Sequence, residues 1–113
     1  MKLTTHVLDT AAGRPACGIR VVLRRLRDGA VLADAATNHD GRLDQALLSA
    51  DRAEPGPYEL AFHVGDYYRS QGVSLPDPPF LDVVPIRFGA AENAHYHVPL
   101  LVSPYGYSTY RGS

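Results

Sequence analysis

Tyr58-Glu59-Leu60-Ala61-Phe62-His63-Val64 alternates without a slip: Tyr58, Leu60, Phe62 and Val64 share one parity, and Glu59, Ala61 and His63 the other. Successive side chains of a strand point to opposite faces, so this run reads as a strand with one face in a core. The same test on His95-Tyr96-His97-Val98-Pro99-Leu100-Leu101-Val102 puts Tyr96, Val98, Leu100 and Val102 on one face. His95, His97, Pro99 and Leu101 fall on the other, and two imidazoles beside apolar residues are an odd composition for plain solvent-facing surface.

On either side of these runs, turn signals recur at short intervals: Ala12-Gly13-Arg14-Pro15, Asp28-Gly29, Asp40-Gly41, Glu54-Pro55-Gly56-Pro57, Gly65-Asp66 and Ser103-Pro104. Short segments rich in Val, Leu, Ile, Tyr and Thr lie between them, the spacing of an all-β sandwich or barrel. The pattern predicts strands near residues 3–9, 18–27, 30–37, 42–47, 57–64, 82–89, 95–103 and 105–111. Ser103-Pro104 turns the seventh of these into the eighth as a hairpin. Asp66 to Gln71 lacks strand character, and the bracketing Gly65 and Gly72 point to a short helix or turn. Pro76, Pro78 and Pro79 then make an extended connection that cannot pair continuously in a sheet.

With 113 residues, 45% of them apolar and 20% charged, the chain has the composition of one globular domain spanning 1–113. A formal net charge of −1 argues against nucleic-acid and membrane-surface partners, since no basic stripe is present to meet a polyanion. The single cysteine, Cys17, has no internal partner for a disulfide, which suits a reducing compartment. No apolar run approaches the roughly 20 residues of a membrane span, and Met1 to Asp9 holds no signal-peptide core, so a cytoplasmic location is expected.

Taken singly, the polar residues say little. His6 sits in the strand Leu3-Thr4-Thr5-His6-Val7-Leu8-Asp9 on the face of Leu8, and a strand histidine alone is more often structural than catalytic. Arg42 follows the Asp40-Gly41 turn and alone reads as a solvated arginine. His95-x-His97 places two imidazoles about 7 Å apart on one strand face. That spacing is compatible with a metal, but no cysteine or acidic residue shares the pattern, and neither metal nor cofactor is predicted. His39 reads as a solvated loop residue, His63 as exposed, and His95 as either a surface residue or a neighbour of a site.

Several stretches carry more when read together: Thr4-Thr5-His6-Val7-Leu8-Asp9 leading to Gly13-x-Pro15-Ala16, then Asp40-Gly41-Arg42 and Gly65-Asp66-Tyr67-Tyr68. To these are added Tyr96-His97-Val98-Pro99-Leu100-Leu101-Val102-Ser103-Pro104 and the ending Tyr110-Arg111-Gly112-Ser113. The set resembles the 5-hydroxyisourate hydrolase branch of the transthyretin-like family over essentially the whole chain, and the last four residues are its most specific signature.

The resemblance implies a transthyretin-like sandwich of two four-stranded sheets with one short helix, assembled as a homotetramer from two dimers. It implies active sites in a channel between dimers, with catalytic roles on His6, Arg42, His97 and Ser113 and a channel-narrowing, substrate-binding role on Tyr110. The implied reaction opens the six-membered ring of 5-hydroxyisourate with water, without a cofactor. In it His6 serves as general base, Arg42 holds the acceptor-rich substrate, His97 orients water or protonates the ring nitrogen, and Ser113 positions substrate through its hydroxyl or carboxylate. Arg111, of opposite parity to Tyr110, is expected either in a salt bridge or as support for the tail, and Gly112 to supply the turn that aims Ser113. A small-ligand carrier on the same scaffold is the alternative, disfavoured because a carrier needs a more apolar pocket than two imidazoles, Arg42 and Tyr110 provide.

Overall fold

The computed structural model describes residues 1–48 and 54–113. In chain order the strands are β1 (Lys2–Thr4), β2 (Val7–Asp9), β3 (Arg14–Pro15), β4 (Arg20–Arg25), β5 (Ala30–Ala36), β6 (Gly56–His63), β7 (Val83–Ala90), β8 (His95–His97), β9 (Leu100–Ser103) and β10 (Gly106–Thr109). The one helix among the described residues, α1 (Val64–Ser70), follows β6 without a loop. Two four-stranded sheets result, ordered β10-β9-β2-β3 and β5-β4-β6-β7, with β1 and β8 forming a separate parallel pair.

The alternation in β6 decides which face is inside. Tyr58, Leu60, Phe62 and Val64 are essentially inaccessible, and they join Val21 and Leu23 of β4, Val84 of β7, and Val7, Leu100 and Val102 of the opposite sheet in one cluster. Tyr58 lies directly across from Phe88 of β7 with ring centroids 5.9 Å apart, a cross-strand aromatic pair. The hairpin of β9 and β10 is antiparallel, with Ser103 opposite Gly106, as its Ser103-Pro104 turn predicts.

The helix is fastened to the first sheet by a buried carboxylate. Asp9, at the end of β2, accepts hydrogen bonds from the Tyr67 hydroxyl (2.8 Å), the Tyr68 hydroxyl (2.9 Å) and the backbone N–H groups of Ala11 and Ala12 (3.1 and 3.0 Å). A buried carboxylate is tolerated only when its lone pairs are satisfied, and here four donors do so. Burial and the Asp9 charge raise the phenol pKa of both tyrosines, that of Tyr67 to about 12. At its other end α1 closes on Gly72, whose φ of +77° is the left-handed value of a helix C-terminal cap. Gly72 N–H donates to Arg69 O and Val73 N–H to Tyr68 O, capping two of the last carbonyls.

Four expectations change. The segment 42–47 is not a strand: Asp44, Gln45 and Ala46 are exposed, and its backbone meets β1 where Leu47 N–H donates to Leu3 O and Leu48 bridges Leu3. The strands expected over 3–9 and 95–103 are each interrupted, for a reason taken up below. The helix starts at Val64, two residues early, because Gly65 is not a breaker; a side chain there would meet Asp82 Oδ1 at 2.6 Å. His63 is not exposed, its side chain keeping only 21% of its accessible surface beside Asp66. His39, by contrast, is solvated as expected.

Replacing Asp9 by alanine strands the buried Tyr67 hydroxyl and leaves that of Tyr68 with Val102 O alone, and each unsatisfied buried group costs about 1–3 kcal/mol. Urea unfolding of Asp9→Ala is expected to show a loss of at least about 1 kcal/mol, and a loss below about 0.5 kcal/mol would mean that these bonds contribute little.

Candidate active site

Residues 2–9 run parallel to residues 95–102 in one register, with Lys2 opposite His95, Thr4 opposite His97, Val7 opposite Leu100 and Asp9 opposite Val102. The register does not slip, yet the ladder is broken between β8 and β9. At the break Val98 O accepts from the Thr5 hydroxyl, in the place that a backbone N–H of the N-terminal segment takes in an unbroken parallel ladder. The neighbouring groups are still satisfied: Val98 N–H donates to Thr4 O (3.0 Å), Leu100 N–H to His6 O (2.9 Å), and the Thr5 hydroxyl to Val98 O (2.6 Å).

Because the register is kept, the parities of the two segments stay matched across the break. Leu3, Thr5 and Val7 turn inward with Tyr96, Val98 and Leu100. Thr4 and His6 are half-buried on the other side, with His97 half-buried and His95 exposed. The Thr4 hydroxyl lies 2.8 Å from His97 Nδ1 and 2.8 Å from His95 Nε2.

Arg42 reaches this face through a tight turn. Asn38 Oδ1 accepts from the backbone N–H groups of Asp40 and Arg42, and Asn38 N–H donates to Arg42 O. Gly41, with φ +74°, carries the turn against the N-terminal segment: Val7 N–H donates to Gly41 O, and a Cβ at Gly41 would sit 2.4 Å from Val7 O and 3.3 Å from His6 Cδ2. Glycine is required there for both its conformation and its size.

The segment after β10 closes the other edge of β8. Gly112 forms an antiparallel bridge with His97, its N–H donating to His97 O at 2.7 Å. The Arg111 guanidinium lies 4.4 Å from the centre of the Tyr96 ring, a cation–π contact that supports the tail as expected. Gly112 acts differently from the expectation. It is not among the glycines with positive φ; a Cβ would instead come within 2.4 Å of His97 Cδ2, so the missing side chain lets the tail lie flat on the imidazole.

Arg42, His97 and Ser113 line one cavity of about 450 Å³, together with Thr4, His95 and Lys2. His6 stands next to it, against Gly41, close enough to act electrostatically on His97. Tyr110 is elsewhere in the chain: 60% exposed, it lines a separate cavity of about 340 Å³ with Tyr96 and Arg111. A neighbouring cavity of about 580 Å³ between β5 and residues 43–48 holds neither imidazole nor guanidinium and offers no comparable chemistry. Among the described residues, no three His, Cys, Asp or Glu side chains converge as a metal-ligand set.

Burial, then the positive charge of Arg42, then His95 and His6, push the His97 pKa below its usual 6.5. The imidazole is therefore neutral at pH 7, able to accept a proton at one nitrogen and donate at the other. Thr4 is the site residue that sequence reading passed over. It shares the parity of His6, and extending that face by one residue pair would have found it.

The sequence pattern of the HIUase/Transthyretin family matches residues 3–112. The chain belongs to this family. It is 63% identical to a 5-hydroxyisourate hydrolase of Mesorhizobium japonicum, covering 99% of this chain and 92% of that protein, and 56% identical to one of Pseudomonas aeruginosa, covering 99% and 91%. Among solved structures, the 5-hydroxyisourate hydrolase of Klebsiella pneumoniae superposes with a TM-score of 0.85 at 37% identity, covering 99% of this chain and 98% of that one. Sea bream transthyretin in complex with thyroxine gives the same TM-score at 26% identity, covering 99% and 95%. An (S)-allantoin synthase superposes with a TM-score of 0.93 at 44% identity over 99% of this chain, which spans 43% of that protein.

The charges around His97 fix the sign of a titration test. Followed by NMR, the His97 ring should titrate with a midpoint below 6.5, and Arg42→Ala should move that midpoint upward by removing a positive charge that disfavours the imidazolium. A midpoint at or above 6.5, or one unmoved by Arg42→Ala, would contradict the placement of Arg42 against this ring.

Proposed function

We infer that this family member hydrolyses 5-hydroxyisourate to 2-oxo-4-hydroxy-4-carboxy-5-ureidoimidazoline, a step of urate breakdown. The observation that carries the reading is one cavity holding Arg42, His97 and Ser113 with His6 beside it, in a chain 63% identical to a named 5-hydroxyisourate hydrolase.

Ring opening by water needs a base for the water, a donor for the developing oxyanion and a proton for the departing nitrogen. His6 takes the proton as water adds to the ring acyl carbon. The forked guanidinium of Arg42 suits a planar, acceptor-rich ring better than an ammonium would, and it faces the charge that develops on the carbonyl oxygen. Collapse of the tetrahedral adduct breaks the carbon–nitrogen bond, and His97 supplies a proton to the leaving nitrogen. Ser113, brought to the cavity by the Gly112 bridge, holds the substrate against these groups.

Assembly completes the reading. We take the active form to be a homotetramer built as a dimer of dimers, with Tyr110 narrowing a channel between dimers. Supporting this, β10 is an edge strand with all four residues exposed, its Tyr107 at 47%, and the flanking Tyr105 and Tyr110 are 64% and 60% exposed. An unprotected edge flanked by exposed aromatics favours pairing with another chain. No helix among the described residues is long and apolar enough to cross a membrane, and a cytoplasmic location remains the proposal. The sea bream structure holds thyroxine, which keeps a carrier as the second reading, but a guanidinium and two imidazoles lining one cavity, with His6 beside it, favour chemistry over storage.

The test is to generate 5-hydroxyisourate with urate oxidase and follow its ultraviolet decay with and without the protein. Decay should be accelerated, and His6→Ala should lose about 10²- to 10⁴-fold of that rate, the usual contribution of a positioned acid or base. Decay no faster than the spontaneous rate would overturn the hydrolase reading, and near-full turnover by His6→Ala would remove His6 from it.

A further inference from the structure

The Thr4 hydroxyl sits between two ring nitrogens, 2.8 Å from each, and it has one proton to give. With both imidazoles neutral, one nitrogen must donate to Oγ1 and the other must accept from it; with His95 carrying a second proton, His95 is the donor and His97 Nδ1 the acceptor. The hydrogen bonds therefore run in one direction along His95, Thr4 and His97, and reversing that direction exchanges the tautomer of His97. Among the described residues no partner is seen for His97 Nε2, so this nitrogen is the one that faces substrate, while Nδ1 is committed to Thr4.

A neutral imidazole is a poor acid, because giving up its one N–H leaves an imidazolate. The proton that His97 hands to a leaving nitrogen must then be replaced at Nδ1 in the same event. Thr4 is the group placed to replace it, and His95, exposed at the mouth of the cavity, is the group placed to recharge Thr4 from solvent.

We propose that Thr4 and His95 form a proton feed to His97: Thr4 positions the ring and passes a proton to Nδ1 while Nε2 gives one up. The inference rests on the hydrolase reading and assigns two residues that the reading leaves unused. The step balances. His95, protonated at both nitrogens, releases its Nε2 proton to Thr4 Oγ1; the hydroxyl proton of Thr4 moves to His97 Nδ1; the Nε2 proton of His97 moves to the departing ring nitrogen. His95 ends neutral, His97 remains neutral with its tautomer reversed, Thr4 is again a hydroxyl, and the nitrogen carries the proton it needs to leave. His95 then regains a proton from water. The register that sets Thr4 opposite His97 is what makes the chain of bonds possible, since parallel pairing brings the hydroxyl beside both imidazoles of one face.

Three variants test this: Thr4→Val, which keeps the shape and removes the hydroxyl; Thr4→Ser, which keeps the hydroxyl; and His95→Gln, which keeps a polar side chain that cannot relay. In 5-hydroxyisourate decay, Thr4→Val and His95→Gln should each lower kcat at least about tenfold with KM within about twofold, and Thr4→Ser should recover at least about a third of the wild-type kcat. In parallel, ¹⁵N NMR of the substrate-free protein should show the His97 tautomer population altered in Thr4→Val and restored in Thr4→Ser. Wild-type kcat in Thr4→Val, equal losses in Thr4→Val and Thr4→Ser, an unaffected His95→Gln, or an unaltered His97 tautomer would overturn the feed. If the wild-type protein fails to accelerate decay, the hydrolase reading falls by itself, whereas the NMR result still decides whether Thr4 controls His97.

Discussion

The site depends on one register. Residues 2–9 and 95–102 pair in parallel with Lys2 opposite His95 and Asp9 opposite Val102, and nothing slips across the break between β8 and β9. A one-residue shift would reverse which side chains face inward on one strand relative to the other. It would part Thr4 from His97 and carry a histidine toward the position of Tyr96 in the core. What holds the register is burial on the inner face, where Leu3, Val7, Tyr96, Leu100 and Val102 are almost fully enclosed. The imidazole face is thus ordered by the apolar face behind it.

Two further anchors act at the ends of this pairing. Asp9, the last residue of β2, is held by the hydroxyls of Tyr67 and Tyr68, and Tyr68 also lies 3.0 Å from Val102 O, the partner of Asp9 in the ladder. At the other end, the bridge from Gly112 to His97 and the Arg111–Tyr96 contact hold residues 111–113 against β8. These devices place positive and ionisable groups around one cavity. The cost is visible in His97, whose charged form is disfavoured by burial, Arg42, His95 and His6. A site that keeps its imidazole neutral gains a base and a relay and gives up a strong acid, and this is the imbalance that Thr4 and His95 are suited to relieve.

The two-sheet architecture was legible wherever one face is buried and the other is not. Tyr58 to Val64 and His95 to Val102 both show their inner faces in the sequence, and the histidine face of the second was already distinct. Continuity was less legible, because parity persists through the break, where a threonine hydroxyl takes the carbonyl that a ladder N–H would have used. Segment 42–47 was misread as a strand because its leucines resemble one, whereas Asp44, Gln45 and Ala46 point to solvent. Glycines were misjudged where their use is close approach: Gly65 against Asp82 and Gly112 against His97 are packing requirements invisible without the neighbour. Of the site, His6, Arg42, His97 and Ser113 were nameable only through family resemblance. Thr4 was overlooked because a threonine in a strand looks ordinary until the opposite strand is known, and Tyr110 is separated from the cavity within one chain, so its role depends on assembly.

The central claim is that residues 112–113, with Gly112 bridged to His97, complete a catalytic cavity and add little to stability. Its most direct test removes Gly112 and Ser113 and measures 5-hydroxyisourate decay and thermal unfolding on the same preparation. The account predicts a rate lower by about 10²-fold. It also predicts an unfolding midpoint within about 5 °C of the intact chain, since one edge bridge contributes about 1 kcal/mol. An undiminished rate from the chain ending at Arg111 would contradict it.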